Sequence, residues 1–588
     1  MFFFHIFRNE TDTYRIVHSQ RVQDMWNEVF RDHQNSHPDC DGKLQWDTLG
    51  ERQRGLCWQE RTVCSGCNFK SKYYKLYKEV DTGKPGPKPA SANIGAEVGL
   101  MHTRSGNTAL RDVFLAAGLP APSLKSMNKM SNNVGQQIIY TNDRDLKRQR
   151  NKIKEVISLR DDLGAGIPVE SDCSYNNAAY SGVGKTPFQP ATQVVCTVSE
   201  NATSDKAIIG MTAMNKLCPI GARKGYNCPK HDGHCASNLK MNRTIGDESQ
   251  WAHDAVLNLL DEGVKISHIT TDTDGKAGKG VQKACESRGL PQPESLLDSR
   301  HLSGNQRKKI RQQEFSEGMF AVDTKAEADK LQGRFANDVA KRCQFEYGIC
   351  YSECAGELNV LKRKIWHVPA AMTKCYQGNH SDCRKRSFAC AGKKRNNWLR
   401  KSPYLSKKFA ISCTEQDHSK LIECINFKLG QNILEQTRLN TNSQKSEATV
   451  RSLRRSLPKP VTYARNFEAR ANTAIHSVNH GTAESITRLC HSVGCPVAQG
   501  TRVARGLLGR QKGDAQRKRY QKLAKTKRKR IMKTRKMYKL YDKLHMNDQK
   551  KNDTSYKKYD PQSEHSYFES RSNPKALRHD HTYRERPL

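Results

Sequence analysis

Between residues 165 and 215 the chain carries three short apolar runs that predict β-strands. They read IPVESDCSY, TQVVCTVSE and KAIIGMTAM, and turn residues separate them. The following segment, DESQWAHDAVLNLLDEGV, has the apolar spacing of an amphipathic helix and an acidic first turn. It leads into a fourth apolar run, KISHITTD, which predicts the next strand.

A second helix and a fifth strand complete this pattern. GKGVQKACESRG predicts a helix that ends at Gly289, and ESLLDSRHL predicts the strand that follows it. Three strands, a helix, a strand, a helix and a strand are typical of a domain in which helices pack against a central sheet. The sequence therefore predicts an α/β fold class.

Helical periodicity dominates on both sides of this core. A Pro- and Gly-rich linker, DTGKPGPKPASA, precedes a mostly helical arm, and a later helical segment, charged and rich in cysteine, has the character of an insertion into the core. Ser and Asn capping residues then open a further helix that runs to Pro458. The predicted regions are 1–80, 81–164, 165–304, 305–434, 435–508 and 509–588.

The charge of the chain favours a polyanionic partner. Lys and Arg number 100 against 60 Asp and Glu, a formal net charge of +40. Such self-repulsion is relieved by nucleic acid more readily than by an acidic membrane surface. From Arg510 to Lys539 the chain is dense in Lys and Arg with one acid, Asp514, which indicates phosphate contacts and nuclear import as well as a solvated helix face. The whole tail from residue 509 is expected to be basic and disordered.

The cysteine content indicates zinc rather than disulfides. The opening apolar run is too short for a signal peptide, and no stretch approaches the ~18 apolar residues of a membrane span, so we expect a soluble, intracellular protein without a membrane partner. The 20 cysteines would then be in a reducing compartment, and many lie at short spacings near histidines. Zinc ligands have that appearance.

Three groups of Cys and His are candidates for structural zinc, against the alternative of buried cysteines. For the N-terminal CxxC, redox chemistry is a further alternative, but no βαβ pattern surrounds it. Cys490 and Cys495 are interpreted as core residues. The three groups are Cys375, His380, Cys383 and Cys390; Cys218, Cys228 and Cys235 with His234 or His231; and Cys64 and Cys67, to be completed by Cys40, His37 or Cys57.

Acidic residues at the ends of two predicted strands are candidate ligands for catalytic metal ions. Asp172 ends the first strand and Asp272 ends the fourth, so both can meet at one edge of a sheet, where Glu447 can join them from a helix. Converging carboxylates repel each other unless cations lie between them, and Mg²⁺ prefers such oxygen ligands. Two such ions would activate a water or a 3′-hydroxyl against a phosphodiester. The alternative is that each Asp only forms a turn.

The ordered set of motifs resembles the Mutator-like transposases of animal mobile elements. The similarity runs from about residue 15 to about residue 510, and Tyr175 stands where that family usually has Trp. The segments that carry it are CSGC, SANIGAEVGLMHTRSG, VESDCSYNNAAYSG, TTDTDG, DSRHLSGNQRKKI, CYQGNHSDC, TNSQKSEATVRSLRRSLPK and SVNHG.

This resemblance implies a ribonuclease H-like catalytic domain with two aspartates and a glutamate. The family acids fall on Asp172, Asp272 and Glu447, with Asp274 as a competitor of the second, and the family histidine falls on His301. Mg²⁺ or Mn²⁺ would be the catalytic ion and Zn²⁺ structural. The partners implied are double-stranded DNA, both element ends and target, with a homo-oligomer formed on it in the nucleus.

Two other functions remain open from the sequence. A decayed or host-adopted protein would keep the fold and the DNA binding without cleavage. A resolvase-type nuclease would share the ribonuclease H-like core and cut DNA, but it would not join the cut end to a target. Joining to target DNA therefore separates the transposase from the nuclease, and cleavage separates both from the binding protein.

Overall fold

A computed structural model describes residues 14–83, 85–164, 166–176, 191–218, 235–240, 243–271, 275–390, 398–441, 444–459 and 461–549; the side chains of 444, 447 and 541–549 are outside this description. The chain divides into two compact units. The larger comprises the residues up to Lys401 and Leu405–Arg519, and the smaller comprises Ser402–Tyr404 with the chain from Tyr520 onward. Within the described part, no helix is both long enough and apolar enough to cross a bilayer.

The centre of the larger unit is a five-stranded mixed sheet in the order β10-β9-β6-β7-β8. The pairs β6–β7 and β7–β8 are antiparallel, whereas β6–β9 and β9–β10 are parallel. All five strands and both intervening helices match the predicted α/β pattern. Their bounds are β6 Ile167–Asn176, β7 Gln193–Glu200, β8 Ile208–Asn215, α5 Glu248–Asp261, β9 Ile266–Thr271, α6 Lys276–Ser287 and β10 Glu294–Leu297.

One face of this sheet packs on α5 and α6. Ile167 and Val169, alternate residues of β6, are fully buried there with Val194 of β7, Val256 of α5 and Val281 of α6. Side chains alternate between the two faces of a strand, so this face takes the odd-numbered residues of β6. Each such apolar side chain contributes about 1.5–3 kcal/mol by leaving water.

The other face of the sheet is covered by two helices that come much later in the chain. Val195 of β7 is buried with Leu453 of α15 (Gln444–Ser456) and with Phe467 of α16 (Phe467–His480). The even-numbered residues of β6, which include Asp172, belong to this face. The return of the chain after the predicted insertion therefore places α15 over the strand that carries the first candidate acid.

The described elements between β10 and α15 are all helical. They contain eight α-helices in addition to a short 3₁₀ turn at Glu317–Phe320. The α-helices are α7 Ser299–Gln312, α8 Lys325–Glu353, α9 Leu358–Ile365, α10 Val368–Tyr376, α11 Cys383–Arg386, α12 Trp398–Lys401, α13 Glu415–Leu429 and α14 Gln431–Gln436.

The predicted fifth strand is shorter than ESLLDSRHL. β10 stops at Leu297, and Asp298 begins α7 because its carboxylate accepts hydrogen bonds from the backbone N–H groups of Arg300 (2.5 Å) and His301 (3.4 Å). An Asp in this position satisfies donors that the first turn of a helix leaves without partners. The prediction that the strand continues through His301 is therefore wrong.

The N-terminal region joins one helix to two small antiparallel sheets, of strands β1–β4 and β2–β3–β5. The arm that follows contains three helices, and its longest, α4, is capped by the Ser123 hydroxyl on the Ser126 N–H. The bounds are α1 Ser19–Ser36, β1 Leu44–Trp46, β2 Arg52–Arg54, β3 Cys57–Glu60, β4 Thr62–Cys64, β5 Tyr74–Lys75, α2 Ser91–Met101, α3 Asn107–Ala116 and α4 Leu124–Ser158.

The arm packs against the helices that follow α15. Val98 of α2 and Ile138 of α4 are fully buried with Ala469 of α16 and with Leu489 of α17 (Thr482–Ser492). A short 3₁₀ turn at Asp161–Leu163 then leads from α4 into β6.

The basic tail is helical over its described part. The chain forms α18 (Arg502–Lys522) and α19 (Ala524–Gln549), so the prediction of disorder from residue 509 is wrong as far as Gln549. Lys and Arg are good helix formers, and this stretch has no proline after residue 496. The dense positive charge of this segment therefore did not prevent α18 and α19 from forming.

Candidate functional site

The face of β6 turned towards α15 carries a row of polar side chains. Glu170, Asp172, Ser174 and Asn176 alternate along it, and Asn176 Nδ2 donates to the Leu457 carbonyl at 3.3 Å, at the C-terminal end of α15. Glu170 contacts the N-terminal end of the same helix. Asp172, which is half-buried, therefore lies within β6 between two points at which the strand is tied to α15, and the prediction that Asp172 ends the strand is wrong.

Glu170 holds the first turn of α15. Its carboxylate is fully buried, and Oε1 accepts a hydrogen bond of 2.8 Å from the backbone N–H of Ser446. Burial raises the pKa of Glu170 to about 7, while the Ser446 N–H favours the ionised form. Glu170 was not predicted from the sequence, although an acid inside an apolar strand, in VESD, is a visible signal.

The structure describes only part of the predicted acidic triad. Glu447 belongs to α15 and directly follows Ser446, but its side chain is outside the described part of the chain. Asp272 and Asp274 are outside the described residues altogether, and β9 is described as far as Thr271. The structure thus brings the strand of Asp172 and the helix of Glu447 together, and it does not test the position of the second aspartate.

The register of the sheet relates Asp172 to the end of β9. The last described pair of the parallel β6–β9 ladder joins Glu170 to Thr270. Asp172 follows Glu170 by two residues, and Asp272 follows Thr270 by two residues. On the other side of β9, Leu297 of β10 pairs with Thr271, and the Asp298 N–H donates to the Thr271 carbonyl at 3.1 Å.

His301 is in the first turn of α7, directly beyond this edge of the sheet. Below that turn, Lys428 of α13 is buried and its ammonium donates to the Ser299 carbonyl at 2.6 Å. Burial lowers the pKa of Lys428 to about 8. A cation from the helical segment therefore supports the turn that carries Asp298 and His301.

The N-terminal CxxC is part of a four-residue group with metal-ligand chemistry. The ligand atoms of His33, Cys40, Cys64 and Cys67 all lie within 4.8 Å of one another. The Cys40 and Cys64 sulfurs are 3.6 Å apart, and His33 Nε2 is 3.4 Å from the Cys67 sulfur. One imidazole and three thiols suit a closed tetrahedral zinc site.

Backbone donors favour the thiolate form in this group. The Gly66 N–H donates to the Cys64 sulfur at 3.3 Å, and this bond lowers the pKa of Cys64 to about 6. The Gly42 N–H donates to the Cys40 sulfur at 3.4 Å. A Cβ atom at Gly42 would lie 2.5 Å from the Cys64 sulfur, so the two turns approach this closely only with glycine there.

Only one of the three residues proposed to complete this group does so. Cys40 belongs to it, but Cys57 is buried in a separate apolar cluster, where burial raises its pKa to about 11. His37 interacts with Ser36 and Asn68 instead. The histidine of the group is His33, in the last turn of α1, whereas His37 follows the end of that helix. His33 was not predicted because the CxxC is far away in the chain.

The helical segment between β10 and α15 contains a second group, at the predicted positions. The ligand atoms of Cys375, His380 and Cys383 lie within 4.8 Å of one another, and His380 Nδ1 is 3.3 Å from the Cys375 sulfur. Hydrogen bonds from the Cys375 and Cys383 thiols hold the pKa of Cys390 far below its usual range. Cys375, His380, Cys383 and Cys390, the four predicted ligands, are therefore neighbours in space.

A buried ion pair supports this second group. Arg342 of α8 donates to the Cys390 sulfur at 3.6 Å and pairs with Glu346 at 3.3 Å. Glu346 in turn accepts from the backbone N–H of Phe388 at 2.6 Å, which fixes the turn before Cys390. A guanidinium next to several thiols offsets the negative charge they would carry as metal ligands.

The remaining predicted group is only partly described. The Cys218 and Cys235 sulfurs are 3.1 Å apart. Cys228, His231 and His234 are outside the described residues. The structure therefore brings two of the proposed ligands together and does not test the others.

The strongest concentration of positive charge in the described chain is on α19. Lys525, Arg528, Lys529, Lys533 and Lys536 recur along it with mostly exposed neighbours. A helix with this repeat presents cations at the spacing of one turn, which suits an extended row of phosphates.

Comparison with protein families identifies the class. A family model described as Mutator-like transposase matches residues 13–390, which is more than half of the chain. The chain belongs to the Mutator-like transposase family, and membership implies in general a DNA-binding enzyme that cuts nucleic acid. The matched range includes Asp172, His301 and all three groups of thiols described above, and it ends before Glu447. Searches of curated proteins and of solved structures gave no significant match.

Proposed function

We propose that this protein is a DDE transposase, which cuts the ends of a mobile element and joins the exposed 3′-hydroxyl to target DNA. Asp172, Asp272 and Glu447 are its catalytic carboxylates. The observation that carries the proposal is the hydrogen bond from Ser446 to Glu170, because it fixes the helix of Glu447 against the strand of Asp172, two residues from that acid.

The strand order supports a ribonuclease H-like catalytic core. Three antiparallel strands followed by two parallel ones, in the order β10-β9-β6-β7-β8, are the arrangement that the family resemblance implies. In such a sheet the first and fourth strands in sequence are parallel neighbours, here β6 and β9. Asp172 lies within β6, two residues beyond the last described pair with β9, so an acid that follows β9 is placed to meet it.

The register supports Asp272 as the second acid. If the β6–β9 ladder continues by two residues beyond Glu170 and Thr270, Asp172 and Asp272 become direct neighbours on the face that α15 covers. Asp274 is then the alternative ligand, two residues further from the ladder. His301, in the first turn of α7 beyond the same edge, is proposed to contact the DNA backbone near the acids.

Hard divalent ions fit this donor set, because carboxylate oxygens are the ligands that Mg²⁺ and Mn²⁺ prefer. When bound, such ions activate a water or a 3′-hydroxyl and stabilise the leaving oxygen. The protein's own contribution is to hold the acids in place: β6 fixes Asp172, and Glu170 holds the first turn of α15.

Zinc is proposed as a structural ion in the two well-described groups. His33, Cys40, Cys64 and Cys67 would join α1 to the small sheets, and Cys375, His380, Cys383 and Cys390 would join α10 to the turn that follows it. Cys218 and Cys235 are proposed as ligands of a third ion with Cys228 and His234. These ions stabilise the folded state, since ligand binding and folding are coupled.

The proposed partner is double-stranded DNA, bound by a homo-oligomer in the nucleus. The formal net charge of +40 and the cations along α19 support the DNA partner and nuclear import. Most of the affinity is expected from phosphate contacts rather than from the three acids.

The test compares cleavage with binding on duplexes taken from the genomic flanks of the gene. Asp172→Asn keeps the side-chain volume but removes a metal-binding charge, so cleavage and joining in Mg²⁺ should fall by several powers of ten while DNA affinity is unchanged. Asp161→Asn, an exposed acid just before β6, is the control and should cleave normally.

Three results would contradict the proposal. Normal cleavage by Asp172→Asn would place the metal elsewhere. Binding of element ends by the wild type without nicking in any divalent ion would favour a host-adopted DNA-binding protein. Cleavage without joining to target DNA would favour a nuclease.

A further inference from the structure

A further group of potential metal ligands contains none of the proposed catalytic acids and none of the thiols. It combines Asp145 of α4 with His476 and His480 of α16, and the three ligand atoms lie within 4.8 Å of one another. His476 and His480 are one helical turn apart, with ring centroids 4.6 Å apart. Asp145 and His476 are buried, and the His480 side chain is 11% exposed.

A chain of hydrogen bonds determines which nitrogen of His476 carries the proton. The Val98 carbonyl can only accept, so His102 Nδ1, 2.8 Å away, must be its donor. Burial lowers the pKa of His102 to about 4, so the ring is neutral and its Nε2 accepts from the Ser485 hydroxyl at 3.1 Å. The Ser485 oxygen then accepts from His476 Nδ1 at 2.8 Å. A neutral His476 therefore carries its proton on Nδ1, which leaves a lone pair on Nε2.

That lone pair belongs to a group with unmatched acceptors. Asp145 Oδ2 accepts from His480 Nε2 at 2.7 Å, but Asp145 Oδ1 is buried without a hydrogen-bond partner among the described residues. Among the described residues, Arg148 forms an ion pair with Oδ1 through Nη2, 3.5 Å away on a half-exposed side chain, but it donates no hydrogen bond to that oxygen. The buried space thus holds two acceptors, His476 Nε2 and Asp145 Oδ1, and one proton shared by His480 and Asp145. Burying acceptors costs free energy unless a hydrogen-bond donor or a cation interacts with them.

We propose that Asp145, His476 Nε2 and His480 Nε2 bind one Zn²⁺ or similar divalent transition-metal ion. Two imidazoles and a carboxylate suit zinc, and they leave a fourth position for water on the partly exposed side of His480. The hydrogen bond from His476 to Ser485 is the kind of outer contact that orients a metal-binding imidazole. The ion would clamp α4 of the arm to α16, whose other face packs on the catalytic sheet.

The alternative is that Asp145 and His480 form only a buried hydrogen-bonded pair. Asp145→Asn distinguishes the metal site from the hydrogen-bonded pair, because an Asn oxygen still accepts from His480 Nε2 but lacks the charge that holds an ion. The matched control is His491→Gln, which removes an exposed imidazole from the neighbouring helix α17.

The experiment measures zinc per chain after removal of metal and reconstitution with Zn²⁺. Asp145→Asn should hold one equivalent less than the wild type, and His491→Gln should hold the same amount as the wild type. In Co²⁺-loaded protein, the intense sulfur-to-cobalt charge-transfer bands should be equal in the wild type and Asp145→Asn, because only the sites without thiolates differ. The cobalt spectra thus distinguish this site from the thiol groups.

Equal zinc content in the wild type and Asp145→Asn overturns the proposal, as does a loss of charge-transfer intensity equal to the loss of zinc. If Asp145→Asn does not fold by circular dichroism, His480→Gln carries the same test at the most exposed of the three ligands. The outcome does not depend on cleavage activity, so failure of the DDE proposal leaves it intact.

Discussion

Removal of the Glu170 side chain tests how the helix of Glu447 is positioned. Glu170→Ala leaves the Ser446 N–H without its 2.8 Å acceptor and opens a cavity beside a fully buried position. Because burial raises the pKa of Glu170 to about 7, the carboxyl is mostly neutral at pH 6, and leaving the Ser446 N–H without a partner there costs about 1–3 kcal/mol. The free energy of unfolding at pH 6 should therefore fall by about 1–3 kcal/mol.

Cleavage should fall more than this loss of stability explains. A catalytic group displaced by about 1 Å costs on the order of 10²-fold in rate. Single-turnover cleavage of element ends, measured below the unfolding transition, should therefore drop by about that factor in Glu170→Ala. DNA affinity should not change, because no phosphate contact is lost.

Two further variants separate position from charge. Glu170→Gln keeps an oxygen acceptor for the Ser446 N–H, so its stability and cleavage should stay close to those of the wild type. Ser446→Ala keeps the backbone donor and should also behave like the wild type. If Glu170→Ala cleaves normally, the anchoring role is wrong; if Glu170→Gln is as inactive as Glu170→Ala, Glu170 acts through its charge, as a metal ligand would.

Three other predictions follow from buried or clustered groups. Burial raises the pKa of Glu97 from 4.5 to about 7, so the stability that the protonated group gives is lost as pH rises through that range. In urea unfolding, the free energy of unfolding of Glu97→Gln minus that of the wild type should be up to about 3 kcal/mol larger at pH 8 than at pH 5. A difference that does not change with pH would contradict this. Cys383→Ser should lower zinc content by one equivalent and lower Tm, whereas Cys413→Ser, outside the group, should keep the zinc; equal zinc in both would refute the site. His33→Ala should lose one zinc and His37→Ala none, and the reverse result would restore His37 as the ligand.

The sheet could be predicted from the sequence because its strands carry strong local signals. Each strand from β6 to β9 is a β-branched apolar run of six to ten residues bounded by turn residues. The N-terminal strands β1 to β5 have two to four residues, too few to show an alternation. The end of β10 was misplaced because Asp298 caps a helix, a role visible only once the next turn is known.

The candidate sites could be predicted where their residues are close in sequence and were missed where they are distant. Cys375, His380 and Cys383 are close in sequence, so their spacing alone predicted the group. His33 and the Asp145 group were missed because their partners are distant; Asp145 and His480 are 335 positions apart, and only the packing of α4 on α16 brings them together. Glu170 was missed because composition suggests an apolar strand there, and its role depends on a helix 276 positions later.

Iron-mediated cleavage of the polypeptide shows whether the three carboxylates hold divalent ions at one point. With its zinc sites filled, the protein is loaded with Fe²⁺ and treated with ascorbate and peroxide, so that hydroxyl radicals cut the backbone next to the bound metal. We expect cuts near Asp172, Asp272 and Glu447 together, all suppressed by excess Mg²⁺ and absent in Asp172→Asn. Cuts near Asp172 without cuts near Glu447, or cuts that persist in Asp172→Asn, would contradict this.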